Sequence, residues 1–328
     1  MENRADEIVY VDAPARLHFG VLDLRGALGR WFGGIGAAAP GPSLLLSAAP
    51  HDALEVSGDD ADRAGDFARR ILDRFGVAGG ARLRVHRMFP SHAGLGSGTQ
   101  LALAVGRALS DLCGLGADAA AIASATGRAH RSAIGTWTFD GGGLVVEGGR
   151  LSRDDGDARV APLLARVPFP PAWHCVVGVP HAEAGLSGNV ETAALASLPL
   201  PPADEVQRVA HLTLMALLPA LVEADLATFG RALSDIQAIT GSWFAPIQGG
   251  VFAPGWSVEL VGRMREWGAV GVGQSSWGPT VYGIAADRTS GRCLADRVRT
   301  LLGDEGDVYD GPFRNDGARV WRGREPDA

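Results

Sequence analysis

Residues 90–100 read Pro-Ser-His-Ala-Gly-Leu-Gly-Ser-Gly-Thr-Gln and feed at once into an alanine- and leucine-rich stretch that predicts a helix from Thr99 to about Leu112. This feature restricts the fold more tightly than any other in the chain. Gly94, Gly96 and Gly98 let the backbone turn sharply and come close to a ligand. The exposed N–H groups and the dipole at the helix start then favour an anion. Each such contribution is only about 0.3–2 kcal/mol, so a polyphosphate held here needs charged help. Ser97 and Thr99 either donate hydrogen bonds to phosphate or cap the helix.

What charged help the chain can offer is narrowed by its composition. The basic side chains, 30 in all, are every one arginine. Without lysine there is no Schiff-base catalysis through a side-chain amine, and no Walker A loop, whose lysine reaches the terminal phosphates. Anions must be held by arginine forks, backbone N–H groups or a metal. A net charge of −7 gives no general attraction to nucleic acid or an anionic membrane, and neither is an expected partner. No run approaches the roughly 20 apolar residues that span a bilayer, and the polar start Met1–Asp6 is no signal peptide. The expected location is the cytoplasm. Cys113, Cys175 and Cys293 are odd in number and far apart, which indicates neither a disulfide framework nor a zinc cluster.

The 328 residues suggest two domains at roughly 100–200 residues each. Ile8–Leu24 reads as two strands interrupted at Pro14, Gly26–Gly36 as a turn-rich stretch, and Ser43–Ala48 as a further strand. Residues 61–76 predict a helix, with Phe67, Ile71 and Phe75 repeating at i+4. Ala81–Met88 alternates as a strand, Asp118–His130 reads as a second helix, and Leu144–Glu147 as a short strand. Polar residues 152–159 and the proline-rich 162–171 mark the expected junction, dividing the chain into 1–165 and 166–328. In the second half Trp173–Val179 reads as a buried strand, and 203–218 as a helix that Pro219 should break or kink. A periodic helix through Val222, Leu226, Phe229, Leu233 and Ile236 comes next. Val258–Trp267 and Cys293–Leu302 read as further helices, the last before a polar tail. Strands and helices mix without regular βαβ alternation, so the expected class is α+β.

Pro90–Gln100 resembles the phosphate-binding loop of the GHMP kinase superfamily. Pro14-Ala15-Arg16-Leu17-His18-Phe19-Gly20 is similar to that family's N-terminal strand motif, and residues 271–280, GVGQSSWGPT, to its C-terminal glycine motif. The resemblance implies a two-domain GHMP-kinase-like fold, with an N-terminal half like ribosomal protein S5 domain 2 and a ferredoxin-like C-terminal half. The departures matter as much. GLGSS is GLGSG here, the early motif lacks the lysine of several kinases, and 127–143 lacks the kinase pattern that places a catalytic Asp. Instead 15–36, 92–100, 131–135, 185–188 (GLSG), 248–250 and 271–283 together look like the β-ribofuranosylaminobenzene 5′-phosphate synthases, which share the fold without phosphoryl transfer.

That second resemblance implies a reaction. 4-Aminobenzoate and 5-phosphoribosyl-1-pyrophosphate give a C-riboside with loss of CO2 and pyrophosphate, a first step toward methanopterin cofactors, with Mg²⁺ accompanying the pyrophosphate substrate. Such an enzyme must neutralise the leaving group, shield a cationic sugar from water and grip a small carboxylate. Gly94, Leu95, Gly96, Ser97, Gly98 and Thr99 are expected to bind the first. Trp31, Phe32 and Trp277 are candidates for excluding water. Asp23 and Arg30 are the expected catalytic pair: Asp23 to stabilise developing positive charge or help hold Mg²⁺, Arg30 to fork onto a phosphate or the benzoate carboxylate. His18 and His92 are expected to touch phosphate or carry a proton. Gln274, Ser275 and Ser276 form a polar turn suited to ligand contact, and Ser132 and Thr136 are further candidates. No spacing of His, Cys or Asp marks metal ligands. A homodimer is the expected assembly. The rival readings are an ATP-dependent small-molecule kinase and a non-catalytic phosphometabolite-binding protein.

Overall fold

A computed structural model describes residues 8–151, 159–181, 185 and 188–323. The apolar alternation of the first segment forms one long strand, β1 (Val9–Asp23), rather than two. Pro14 does not end it. The ladder with β2 (Arg30–His51) jumps from Pro14–Ser43 to Arg16–Ala38, so Pro14, Pro40 and Pro42 all lie at an irregularity in the pairing. Of the stretch read as turn-rich, Gly26–Gly29 is the turn between β1 and β2, while 30–36 and the strand read at Ser43–Ala48 fall within β2, since its glycines pass close under neighbours. A Cβ on Gly34 would stand 2.9 Å from Ile134.

β2 organises an eight-stranded sheet. The path β12–β1–β2–β4–β3 uses β3 (Glu55–Gly58), β4 (Gly80–Arg87) and β12 (Arg319–Arg322). β5 (Leu144–Glu147) and β6 (Arg150–Leu151) also pair with β2, and β7 (Leu163–Val167) pairs with β5. β12 closes the polar tail back onto the first sheet, and the expected junction between 165 and 166 falls inside β7. Residues 152–158 of that junction lie outside the described residues.

Helix α1 (Ala61–Phe75) buries Phe67, Ile71 and Leu72 and ends at left-handed Gly76. α2 (Ser97–Cys113) is buried on nearly every face and packs on β1, β2 and α1. α3 (Ala119–Ala125) is capped by Asp118 and is shorter than predicted, because Gly127 and Ala129 both turn at positive φ. α4 (Ile134–Gly141) was not legible as a helix and packs against β1 and β2.

The second sheet has the antiparallel order β11–β8–β10–β9, from β8 (His174–Pro180), β9 (Val270–Gln274), β10 (Val281–Ala285) and β11 (Gly306–Pro312). Its apolar face meets α9 (Trp256–Glu266) and α10 (Arg288–Leu302) through Val176, Leu260, Met264, Val272, Val281, Leu294 and Val298. This is the expected ferredoxin-like arrangement. α8 (Leu226–Gln248) touches both β9 and β1, so it joins the two sheets. α5 spans Gly188–Ser197.

Ala203–Val222 is one helical run: α6 (Ala203–Leu212), a π turn (Thr213–Leu217) and α7 (Leu218–Val222). Pro219 does not break it, because it falls in the first turn of α7 behind the wider π turn. By length and composition this run passes the limit for crossing a membrane, but Asp204, Glu205, Gln207, Arg208 and His211 interrupt it, so it is not a continuous stretch of about 20 apolar residues. It packs against α8 through buried Val209, Thr213, Leu217 and Leu221, while Leu214, Met215 and Val222 are exposed.

Candidate active site

The three glycine-bearing motifs, far apart in sequence, meet at one point. Gly94 and Gly96 both adopt φ of 79°. A Cβ on Gly94 would collide with the Ser275 carbonyl, and one on Gly96 would lie 2.8 Å from Arg16 Cγ. Arg16 N donates to the Leu95 carbonyl at 3.0 Å, and Arg16 Nη1 to the Gly94 carbonyl at 2.5 Å. Ser275 Oγ donates to the same Gly94 carbonyl at 2.6 Å and accepts from His18 N at 2.9 Å. Two expectations change as a result. Leu95 is fully buried in the core, and Ser275 ties β1 to the loop; neither lines the cleft. The cap residue of α2 is Gly96, which leaves the helix start without a side-chain cap, so neither Ser97 nor Thr99 serves as one.

The loop opens on a cleft of about 530 Å³. Its cationic end holds Arg16, Arg63, Arg128 and Arg131. The Arg128 guanidinium lies 4.7 Å over the Phe67 ring and about 3.2 Å from where a Gly98 Cβ would stand. Burial and then the neighbouring Arg63, Arg70 and Arg131 lower its pKa, the electrostatic mark of cations gathered without enough counter-charge. Burial pulls Arg16 down to about 10, opposed by Glu191. Arg63 pairs with Asp60 at 3.1 Å and Arg131 with Glu191 at 2.6 Å. The loop residues Gly94, Gly96, Ser97, Gly98 and Thr99 line this end, with His92.

His18 also lines the cleft, and desolvation, then the charge on Arg16, push its pKa down to about 3. The imidazole is neutral at physiological pH, so it suits a hydrogen-bond partner and not a proton carrier. Ser132 Oγ stands 3.4 Å from His18 Nε2. Behind it lies Glu147, fully buried, accepting from Gly149 N at 2.7 Å and Ala133 N at 3.4 Å. Burial raises the Glu147 pKa to about 7.

The other end of the cleft is apolar: Val21, Leu24, Phe32, Leu195, Phe244, Val251 and Trp277. Phe244 and Trp277 meet edge to face, with ring centroids 5.0 Å apart. Gln274 and Ser276 line the wall, and Gln274 is fixed by Ala253 N at 2.7 Å and Gln248 Oε1 at 3.2 Å.

Asp23 and Arg30 do not line the cleft. Asp23 Oδ1 accepts from Arg25 N at 2.5 Å and Gly26 N at 3.0 Å, closing the β1–β2 turn. Arg30 donates to the Gly148 and Gly149 carbonyls at 2.7 and 2.9 Å. Both are therefore placed to hold the hairpin that presents Leu24 and Phe32, and the catalytic pair expected from sequence is not assembled. Thr136 and Trp31 also stand away from the cleft, whereas Ser132 lines it. Of the GLSG motif, Leu186 and Ser187 lie outside the described residues.

Arg63, Arg128, Arg131, Glu191 and Phe244 were not named as site residues from the sequence, although Arg131 opens the matched segment 131–135. A signal did exist for the first three: Arg128, His130 and Arg131 crowd behind Gly127, and Arg63 sits one helical turn ahead of buried Phe67. For Glu191 and Phe244 no such pattern existed.

The family models for the GHMP kinases N terminal domain and the GHMP kinases C terminal domain match residues 63–141 and 217–303. The homoserine kinase of Cytophaga hutchinsonii superposes with a TM-score of 0.73 at 18% identity, covering 98% of this chain and 99% of that one. The mevalonate pyrophosphate decarboxylase of Streptococcus pyogenes gives 0.67 at 14% identity, covering 94% and 97%. At such identities these neighbours show the fold alone. Two curated relatives are closer in sequence. The β-ribofuranosylphenol 5′-phosphate synthase of Archaeoglobus fulgidus is 35% identical, over 86% of this chain and 90% of its own. That of Methanothermobacter thermautotrophicus is 31% identical, over 89% and 93%. On its loop, its cleft and these similarities, the chain belongs to the β-ribofuranosylphenol 5′-phosphate synthase family, built on the GHMP kinase fold.

Proposed function

We propose that the chain condenses 5-phosphoribosyl-1-pyrophosphate with a para-substituted benzoate, 4-aminobenzoate or the 4-hydroxybenzoate that would give a ribofuranosylphenol, and releases CO2 and pyrophosphate on the way to methanopterin-type cofactors. The observation that carries this reading is a single cleft with an arginine-lined helix start at one end and an aromatic wall at the other. A diphosphate fits the first, where Arg16 and Arg128 neutralise it and the backbone of the Gly94–Thr99 loop approaches it. An aromatic acid fits the second, where Phe244, Trp277 and Phe32 exclude water from the sugar. His18, neutral and held near Ser132, offers a hydrogen bond without charge.

Kinase chemistry is disfavoured by the same residues. In the segment where the kinases place their catalytic Asp, the acid present is Asp140, which is exposed and bonded to Arg166 at 2.8 Å. The likeness to kinases is one of fold.

Mg²⁺ is proposed as part of the donor substrate, carried on its diphosphate. Among the described residues no group of three or more His, Cys, Asp or Glu gathers for a cation. Mg²⁺ commonly binds through substrate phosphates and few protein carboxylates. A resident metal does not fit the donors present, and no step is assigned to one. The cytoplasm, where such soluble phosphometabolites are found, is the proposed place of action. A homodimer is the proposed assembly, tested by sedimentation velocity of the parent chain against Met215→Glu.

The reaction is tested with carboxyl-labelled 4-aminobenzoate and, separately, carboxyl-labelled 4-hydroxybenzoate, each with 5-phosphoribosyl-1-pyrophosphate, and with ATP and small alcohols in parallel. Labelled CO2 without ADP is the expected result. ADP without CO2 would establish a kinase, and binding with neither product a non-catalytic relative.

A further inference from the structure

We propose that Glu191 is the residue that accepts hydrogen bonds from the ribose hydroxyls of the phosphoribosyl donor and faces the positive charge that forms in the sugar ring. This rests on the synthase reading above.

Glu191 stands in the first turn of α5 and is the one carboxylate among the described residues that line the cleft. Its Oε2 is 2.6 Å from Arg131 Nη2, at the cationic end. Its Oε1 accepts from Trp277 Nε1 at 3.1 Å, and Trp277 packs edge-on against Phe244 at the aromatic end. The carboxylate therefore sits where the two ends of the cleft join. Its charge also reaches Arg16, whose pKa it raises.

Besides the Mg²⁺ carried on the diphosphate and the acceptor's amine or hydroxyl, the group on the substrates that suits such a carboxylate is the ribose, which its place between Arg131 and Trp277 favours. The donor carries anions on both sides of its sugar, and the acceptor carries a carboxylate of its own. A carboxylate is repelled by all three. The ribose between them is neutral in the ground state, presents two adjacent hydroxyl donors, and becomes cationic as the leaving group departs. When the C1–O bond breaks, its electron pair leaves with diphosphate. The ring carbon bearing the benzoate carboxylate supplies the pair for the new C–C bond, and the pair from the lost CO2 restores the aromatic ring. No proton needs to reach Glu191 and it forms no covalent bond. Its negative charge favours the cationic sugar over the neutral one, so its effect falls on the transition state.

The alternative is that Glu191 only latches α5 to Arg131 and Trp277. Glu191→Gln keeps an oxygen for Trp277 and the side-chain length while removing the charge, and Glu191→Asp keeps the charge on a shorter arm. For the sugar role, Glu191→Gln lowers kcat at least 100-fold while affinity for inorganic pyrophosphate, read by calorimetry, changes less than 3-fold. Glu191→Asp turns over at least ten times faster than the Gln variant. The parent chain uses the 2-deoxyribose analogue of the donor at least 10-fold less well than the natural donor, and Glu191→Gln no longer distinguishes them. A kcat for Glu191→Gln within 10-fold of the parent overturns the proposal, as does equal loss in both variants together with weakened pyrophosphate binding. If the parent chain itself releases no labelled CO2, it is the synthase reading that fails.

Discussion

At the scale of single residues, the site depends on close approach as much as on charge. Gly96 is pressed by Arg16 Cγ, 2.8 Å from any added Cβ, and it holds a φ that costs a β-branched residue about 1–3 kcal/mol. Gly96→Val is expected to push Arg16 aside and raise the KM for the phosphoribosyl donor at least 10-fold, with little change in the acceptor KM. Unchanged donor affinity would make the loop architectural. Asp23 and Arg30 act at the opposite end, through the hairpin. Asp23→Ala frees two backbone N–H groups in the turn, and Arg30→Ala frees the Gly148 and Gly149 carbonyls. Either change is expected to raise the acceptor KM several-fold by loosening Leu24 and Phe32, with the donor KM steady. Steady-state kinetics with each substrate varied in turn decides this. A 100-fold drop in turnover with both KM values unchanged would return the two residues to direct chemistry. Sequence alone placed both residues around one turn, but it could not show that their polar atoms are already used by other partners.

Among the elements, the connection between β5 and the turn before α4 stores a pH dependence. Glu147 ends β5 and takes the N–H groups of Gly149 and Ala133 in a site closed to water. Its folded pKa is raised to about 7 from 4.5. Between those values the folded chain keeps a proton that the unfolded chain has released, so stability falls as pH rises through that window. The shift corresponds to a loss of about 3 kcal/mol that is complete above pH 7. Glu147→Gln removes the ionisation and keeps an acceptor for one of the two N–H groups, a loss that is the same at every pH. Urea unfolding at pH 5 and pH 8 is expected to show the variant gaining on the parent by up to that amount at the higher pH. Parallel loss in both proteins would mean Glu147 is reached by water. Elements with clear periodicity, such as α1, α8 and α10, were legible because an apolar stripe is a local property. α4 and β12 were not, since α4 is covered by β1 and β2, about a hundred residues back, as well as by its near neighbours, and β12 is set only by pairing with β1 three hundred residues away.

For the whole molecule, charge and topology act together. The chain carries a net charge of −7, yet its cleft gathers four arginines at a helix start. A donor with several negative charges is thus held by a local field against a repulsive surround. Raising ionic strength from about 0.05 to about 0.5 M, which shortens the screening length several-fold, is expected to raise the donor KM at least 3-fold and leave the aromatic acceptor's KM unchanged. Equal effects on both would place the donor away from the arginine end. The amino-acid sequence by itself determined the glycine loop and its helix, the α+β class and the exclusion of lysine chemistry, which follow from residue type and short spacing that the chain carries locally; the ferredoxin-like second half and the family were implied by the resemblance of its motifs. Tertiary structure alone decided that Arg128 lies over Gly98 with Arg63 as a neighbouring charge, that Ser275 and Leu95 serve the frame, and that Glu191 joins the two ends of the cleft. Each of these depends on α1, α2, α5 and the β9–β10 turn being brought together by long-range pairing around β1 and β2, and no local pattern encodes where a side chain ends up once such pairing is made.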